Sequence, residues 1–293
     1  MVALSNFDKG ECAVKIKNRY LLFNKYVVIA SLLLISVSFL SWAIFSEYFS
    51  AVFFWDLSEM GVTRAEYFGL IFPFHNYVVD GFSLLQLILP IFSMLIVIPF
   101  LNSKKMLLFT YTRDNSYNRA LITNIAKTVL VGATVLFSAY LVFMMIGLIL
   151  LPISADADFS RELFSDILGP DFYSDFTVLY YVLEGFLKYF VFTVVYALFA
   201  IAVSFLTSNN YYAIIVPFAY YAVLAILIAV VGSAFGIDLM FLSPTYTVLA
   251  NSRPYMSIVF VLAPLLPPLA FSVYVIRKNL ITKKNRDDVY GVT

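Results

Sequence analysis

The chain has 293 residues, 62% hydrophobic and 18% aromatic, with only 13% charged, a net charge of +1 and a mean hydropathy of +0.91. Soluble domains are about half apolar and a quarter charged, so a soluble globular protein is excluded. Long continuous apolar runs, in place of ten-residue alternation, exclude a β-barrel and imply an all-α polytopic membrane protein. A lone cysteine, Cys12, excludes an internal disulfide, and a lone histidine, His75, excludes a multi-histidine metal centre.

A helical span needs about 20 apolar residues to cross the hydrocarbon. Runs of this kind predict six spans, near 26–46, 81–103, 128–154, 189–206, 213–235 and 256–276, within a single transmembrane domain over 1–293. The fourth and fifth spans are separated by the polar cluster "TSNNYY" (207–212). The first run has a long charged leader and is followed by five more, so it reads as a retained span, although "SWA" (41–43) loosely resembles a signal cleavage site.

Charge sets the expected orientation. Fifteen of the 19 basic residues fall on one side: Lys9, Lys15, Lys17, Arg19 and Lys25; Lys104, Lys105, Arg113, Arg119 and Lys127; Arg277, Lys278, Lys283, Lys284 and Arg286. Only Arg64, Arg161, Lys188 and Arg253 fall on the other. The positive-inside rule therefore predicts cytoplasmic N- and C-termini.

Two further segments have their own character. "CAVKIKNRYLLFNK" (12–25) places Ala13, Ile16, Tyr20 and Phe23 on one helical face, the pattern of an interfacial N-terminal helix. "LMFLSPTYTVLA" (239–250) is apolar but too short to cross, and predicts a re-entrant or surface-lying hairpin between spans 5 and 6. Pro90, Pro99, Pro217, Pro264, Pro267 and Pro268 lie in spans 2, 5 and 6 and predict bent helices.

An intramembrane enzyme needs ionisable groups inside its spans. The spans as drawn hold none, and no catalytic residue or metal site is expected. Glu184 and Lys188, spaced i,i+4, read as a surface ion pair where span 4 begins. The acidic loop 154–172 lacks the pattern and turn glycine of a calcium loop. There is no phosphate-binding GxxxxGK[ST], so any ATP chemistry belongs to another subunit.

The segment "KKMLLFTYTRDNSYNRALITNIAK" (104–127) is too basic for a span and too apolar for a solvated linker. The order of parts over essentially the whole chain resembles the membrane subunit of ABC exporters of the type-2 permease superfamily. An interfacial helix precedes span 1, a basic semi-helical loop joins spans 2 and 3, and a polar turn joins spans 4 and 5. A short hairpin precedes span 6, and a basic tail follows. "RDNSYNRALITNIAKTVL" (113–130) and "LSPTY" (242–246) are local echoes of that family. The loop departs from it in starting "RDNS" where members carry an acid-rich "RE…GT", and in lacking the usual proline.

The resemblance implies a coupling element docked on an ATPase, carried by Lys104, Lys105, Met106, Leu107, Phe109, Tyr111, Arg113 and Arg119. It implies two ABC ATPase subunits holding ATP and Mg, and a second permease chain, identical or related. This chain itself binds no cofactor and no nucleic acid, sits among lipid, and belongs in the bacterial cytoplasmic membrane as a multi-pass protein. Ser83, Gln86, Tyr212, Tyr220 and Tyr221 are the candidate pathway residues. An uncharged aromatic lining suits a hydrophobic or amphipathic cargo: a bacteriocin-like peptide, a lipid-linked molecule or a drug. The alternative is a non-transporting scaffold or sensor that recruits a cytoplasmic partner through its basic loop and tail.

Overall fold

The structure is a computed structural model that describes residues 25–46, 73–111, 117–153, 163–207, 209–237, 239–248 and 257–289, with side chains described except at 105–111, 117, 240 and 281–289. Every regular element among the described residues is helical. In chain order these are α1 (Lys25–Phe45), α2 (Phe74–Ser83), α3 (Leu85–Leu95), α4 (Ile98–Tyr111), α5 (Tyr117–Leu150), α6 (Ser165–Leu168), α7 (Phe172–Asp175) and α8 (Thr177–Gly185). A π-helical turn, Phe186–Val191, then leads into α9 (Phe192–Leu206), followed by α10 (Asn210–Phe235), α11 (Pro244–Thr247), α12 (Ile258–Leu262) and α13 (Leu266–Val289).

Six stretches are long and apolar enough to cross a membrane: Lys25–Phe45, Leu85–Lys104, Asn118–Leu150, Thr177–Leu206, Asn210–Phe235 and Ile258–Leu280. The chain is a multi-pass membrane protein in that sense, and the six expected spans are all present. Two of them start well before their apolar runs. The third begins at Asn118 and not near 128, because Lys127 is exposed on its helix and its long stem lets the ammonium reach polar surroundings. The fourth begins at Thr177 and not at 189, because Lys188 is matched by Glu184 inside the helix. In both cases one lysine ends the apolar run without ending the helix.

The ends of the bundle are tied by polar contacts. At one end the Phe74 amide donates to the Pro152 carbonyl at 3.0 Å, and the Leu84 amide donates to Ser41 Oγ at 3.0 Å. At the other, Lys104 Nζ donates to the Ser204 carbonyl and lies 4.9 Å from the Phe205 ring centroid. A cation at the C-terminus of α9 satisfies carbonyls that no helical amide reaches and opposes the negative end of the helix dipole. Asn209 caps α10, its side chain accepting from the Tyr211 amide at 3.0 Å, which explains the break in the long apolar run at "TSNNYY".

Prolines act differently by position. Pro99 opens α4 after the break at 96–97, and Pro264 lies in the 3₁₀ turn Ala263–Leu265 that separates α12 from α13. Pro90 and Pro217 sit inside α3 and α10, which continue through them. "LSPTY" forms a capped turn: Ser243 Oγ accepts from the Thr245 amide at 3.3 Å, and Pro244 occupies the first turn of α11, where no amide proton is needed. Thr247 Oγ1 then donates to the Val261 carbonyl at 2.7 Å, holding α11 against α12. The expected interfacial helix at 12–25 falls, apart from Lys25, outside the described residues, as do residues 249–250 of the expected hairpin.

The bundle interior is aromatic. Tyr77, Tyr140, Tyr180, Tyr181, Tyr189 and Tyr196 are buried among Phe74, Phe143 and Phe192, while Leu32, Leu40, Ile226 and Val230 face outward. Lipid is as apolar as leucine, so outward leucine costs nothing and helix association rests on close packing and interhelical hydrogen bonds. Tyr77 shows both: its ring stacks on Phe143 at 4.3 Å, and its hydroxyl donates to the Phe143 carbonyl at 2.9 Å.

Candidate functional site

The fourth span carries a charge pair in its first half. Lys188 Nζ donates to Glu184 Oε1 at 2.7 Å, with side chains 5% and 0% exposed. The sequence reading of a surface pair is therefore corrected: the pair is buried. Glu184 lies seven residues into a span that starts at Thr177, about 10 Å along the helix axis. The signal was present in the sequence, since "TVLYYVLEGFLKYFVF" (177–192) is apolar except for two charges that cancel.

Local structure explains how the pair is held. Lys188 lies in the π-helical turn, where the Phe192 amide reaches back to the Leu187 carbonyl. The wider turn occurs where Gly185 removes a side chain. A Cβ at Gly185 would lie 1.9 Å from Tyr140 Cε1, so the Tyr140 ring rests directly on the span-4 backbone. Its hydroxyl donates to the Tyr181 carbonyl at 2.9 Å. Tyr140 stacks on Tyr189 at 4.7 Å and on Phe82 at 5.5 Å. Lys188 Nζ lies 4.3 Å from the Phe82 ring centroid, a cation–π contact away from bulk water. Helices α2, α5 and α8 with the π turn thus enclose the pair in stacked rings. π turns recur at functional sites, and ionisable groups inside spans mark pathways or relays.

A second cluster lies further along the same span. The Tyr221 hydroxyl of α10 donates to the Gln86 carbonyl of α3. The Tyr196 ring of α9 lies 5.9 Å from Tyr221, edge-on, and Tyr220 packs edge-on against Phe199 at 5.5 Å. Gln86 Oε1 and Tyr196 Oη are buried and have no hydrogen-bond partner among the described residues. Two such atoms in one region mark a place for a small polar group or water.

Of the candidate pathway residues, the structure brings Gln86 and Tyr221 together, while Tyr220 packs on Phe199. Ser83 lies one turn from Gln86, its hydroxyl turned back to the Val79 carbonyl at 3.4 Å. Tyr212 stands apart, 52% exposed near the start of α10. Sequence reasoning missed Tyr196, which is indistinguishable by pattern from a core aromatic.

The basic segment 104–127 is built on two helices. α4 continues to Tyr111 and α5 starts at Tyr117. Lys104 is engaged with Ser204, and Arg119 is exposed. The side chains of Lys105, Met106, Leu107, Phe109 and Tyr111 lie outside the described set, and Arg113 lies outside the described residues. Before span 2, Asp80 is partly buried in α2, and burial pushes its carboxyl up to about 6. Among the described residues no group of three or more His, Cys, Asp or Glu is placed to hold a metal ion. No family model matches the chain, and neither a curated protein nor a solved structure matches it.

Proposed function

We propose that this chain is the permease subunit of an ATP-driven exporter of the type-2 ABC class, working in the bacterial cytoplasmic membrane with its termini in the cytoplasm. The observation that carries the reading is the basic hairpin: α4 and α5 extend spans 2 and 3 past their apolar runs, with only 112–116 between them. A helical projection continuous with two spans transmits a push at its tip as a displacement of those spans. A flexible linker does not. Met106, Leu107, Phe109 and Tyr111 supply the residue types favoured in interface cores, and Lys105, Arg113 and Arg119 supply charge complementary to an acidic cleft. Lys104 contributes from the bundle side, fixing the root of the hairpin to the end of α9.

Two ATPase subunits holding ATP and Mg serve a pair of permease chains, identical or related. ATP drives the cycle by stabilising one conformation of the pair over the other. The cargo is hydrophobic or amphipathic, and a peptide is preferred, either exported or expelled as protection against a membrane-attacking peptide. The Gln86–Tyr196–Tyr221 cluster is polar without charge, which suits such a cargo better than an ion. A carrier driven by an ion gradient is the second reading, favoured by the buried Glu184–Lys188 pair alone.

The test is purification of the chain from its own membranes in mild detergent, wild type beside Leu107→Asp with Phe109→Asp. An ABC ATPase, identified by peptides containing a GxxxxGK[ST] loop, should accompany the wild type stoichiometrically and leave the double variant. A wild type that carries no ATPase removes the exporter reading and leaves the scaffold or the ion-driven carrier.

A further inference from the structure

Helices α5 and α13 both pack on α9. Between them a groove of about 420 Å³ opens to the side of the bundle, with Val194 and Leu198 of α9 among its lining residues. One wall is a helical stripe of α5 from Ile122 to Leu130, and the other is a stripe of α13 including Ile276. The lining is apolar apart from Arg277, which sits at the end where α5 enters the bundle and span 6 leaves it. From Ile122 to Leu130 the groove runs about 12 Å along the helix axis, close to the roughly 15 Å hydrocarbon depth of one leaflet.

Charge identifies the occupant. The guanidinium of Arg277 has no ion pair among the described residues. Neither the stretch 117–153 nor 186–207 nor 257–286 contains an Asp or Glu, so the walls offer it no carboxylate. Arg119, Lys127 and Lys278 are exposed near the same end of the bundle and add positive potential. An apolar trough one leaflet deep, with a guanidinium at its mouth that pairs with no acid among the described residues, complements the shape and charge of an anionic phospholipid.

We propose that this groove is a specific site for one anionic phospholipid, an acyl chain lying along Val194 and Leu198 and the headgroup phosphate bound by Arg277. The planar guanidinium binds phosphate oxygens in pairs, which ammonium groups do not. The site depends on the chain being a membrane protein and not on the exporter reading.

The test is native mass spectrometry of the purified full chain, delipidated and then titrated with phosphatidylglycerol or phosphatidylcholine. Wild type should retain one phosphatidylglycerol about tenfold more tightly than phosphatidylcholine, the scale of one charge-assisted hydrogen bond. Arg277→Gln should abolish the preference while leaving weak binding of both lipids, and Arg277→Lys should keep part of it. Ala126→Trp, which places a ring in the groove, should lose both lipids. Each variant is checked for unchanged helicity and a single elution peak, and any that fails is replaced by Val273→Trp on the opposite wall. Equal retention of the two lipids by wild type, or an undiminished preference in Arg277→Gln, overturns the site. So does a dimer that Ala126→Trp dissociates with no lipid retained, which puts a second copy of the chain in the groove.

Discussion

Replacing Lys188 with methionine leaves the carboxylate of Glu184 in a bundle interior where its own exposure is zero. The 2.7 Å hydrogen bond is lost, together with the ammonium's contact with Phe82 at 4.3 Å. Breaking a buried pair from one side costs about 3–5 kcal/mol, because the carboxylate stays desolvated and loses the ammonium that offset that cost. In a chain of this size that is roughly a 10 °C fall in melting temperature. Replacing both members, Glu184→Leu with Lys188→Met, removes two desolvated charges at once and should restore stability to within about 1 kcal/mol of wild type. Thermal unfolding in one detergent at fixed pH, followed by intrinsic fluorescence, reads all three proteins. If Lys188→Met melts with the wild type, the charges are not buried together and the geometry of the site is wrong. If the double variant is as stable as wild type but transport stops, the pair serves the pathway and not the fold.

Gly185→Ala should cost about 3 kcal/mol or more, since its Cβ meets a Tyr140 ring held by two stacked neighbours and a hydrogen bond; a melting temperature near wild type would refute that packing. Lys104→Ala removes the cation at the end of α9 and should cost about 1 kcal/mol, with faster amide exchange confined to residues 203–207; exchange unchanged there would separate Lys104 from the cap. Asp80 holds its proton more tightly folded than unfolded, so its contribution to stability is complete below about 4 and is lost as pH rises through about 6. Its partial exposure reduces the loss to about 1 kcal/mol, and Asp80→Asn should flatten the pH dependence of melting between 4.5 and 7.5.

The spans were legible because twenty apolar residues in a row have few other uses. Their starts were not. Lys127 and Lys188 interrupt apolar runs in the same way on paper, yet one projects from its helix and the other is neutralised within it. What separates them is the acid four residues before Lys188, and that spacing is also the spacing of any surface pair. Only packing by Phe82, Tyr140 and Tyr189 decides between the two. The pathway residues show the same limit. Gln86 and Tyr221 stood out as polar groups in oil, whereas Tyr196 is one of many tyrosines, and its buried hydroxyl gains meaning only beside them. Lys104 was legible as a positive charge on the basic side, but its bond to the Ser204 carbonyl links positions one hundred residues apart and leaves no local trace.

The proposed function rests on the 104–127 hairpin being pushed by an ATPase, and ATP hydrolysis by the complex purified through this chain tests that most directly. In lipid nanodiscs, magnesium-dependent hydrolysis should travel with the wild-type chain at one ATPase subunit per permease chain. The Leu107→Asp, Phe109→Asp variant, with its melting temperature unchanged, should elute without it. A wild-type preparation that is intact, inserted and free of any nucleotide-hydrolysing subunit contradicts the account.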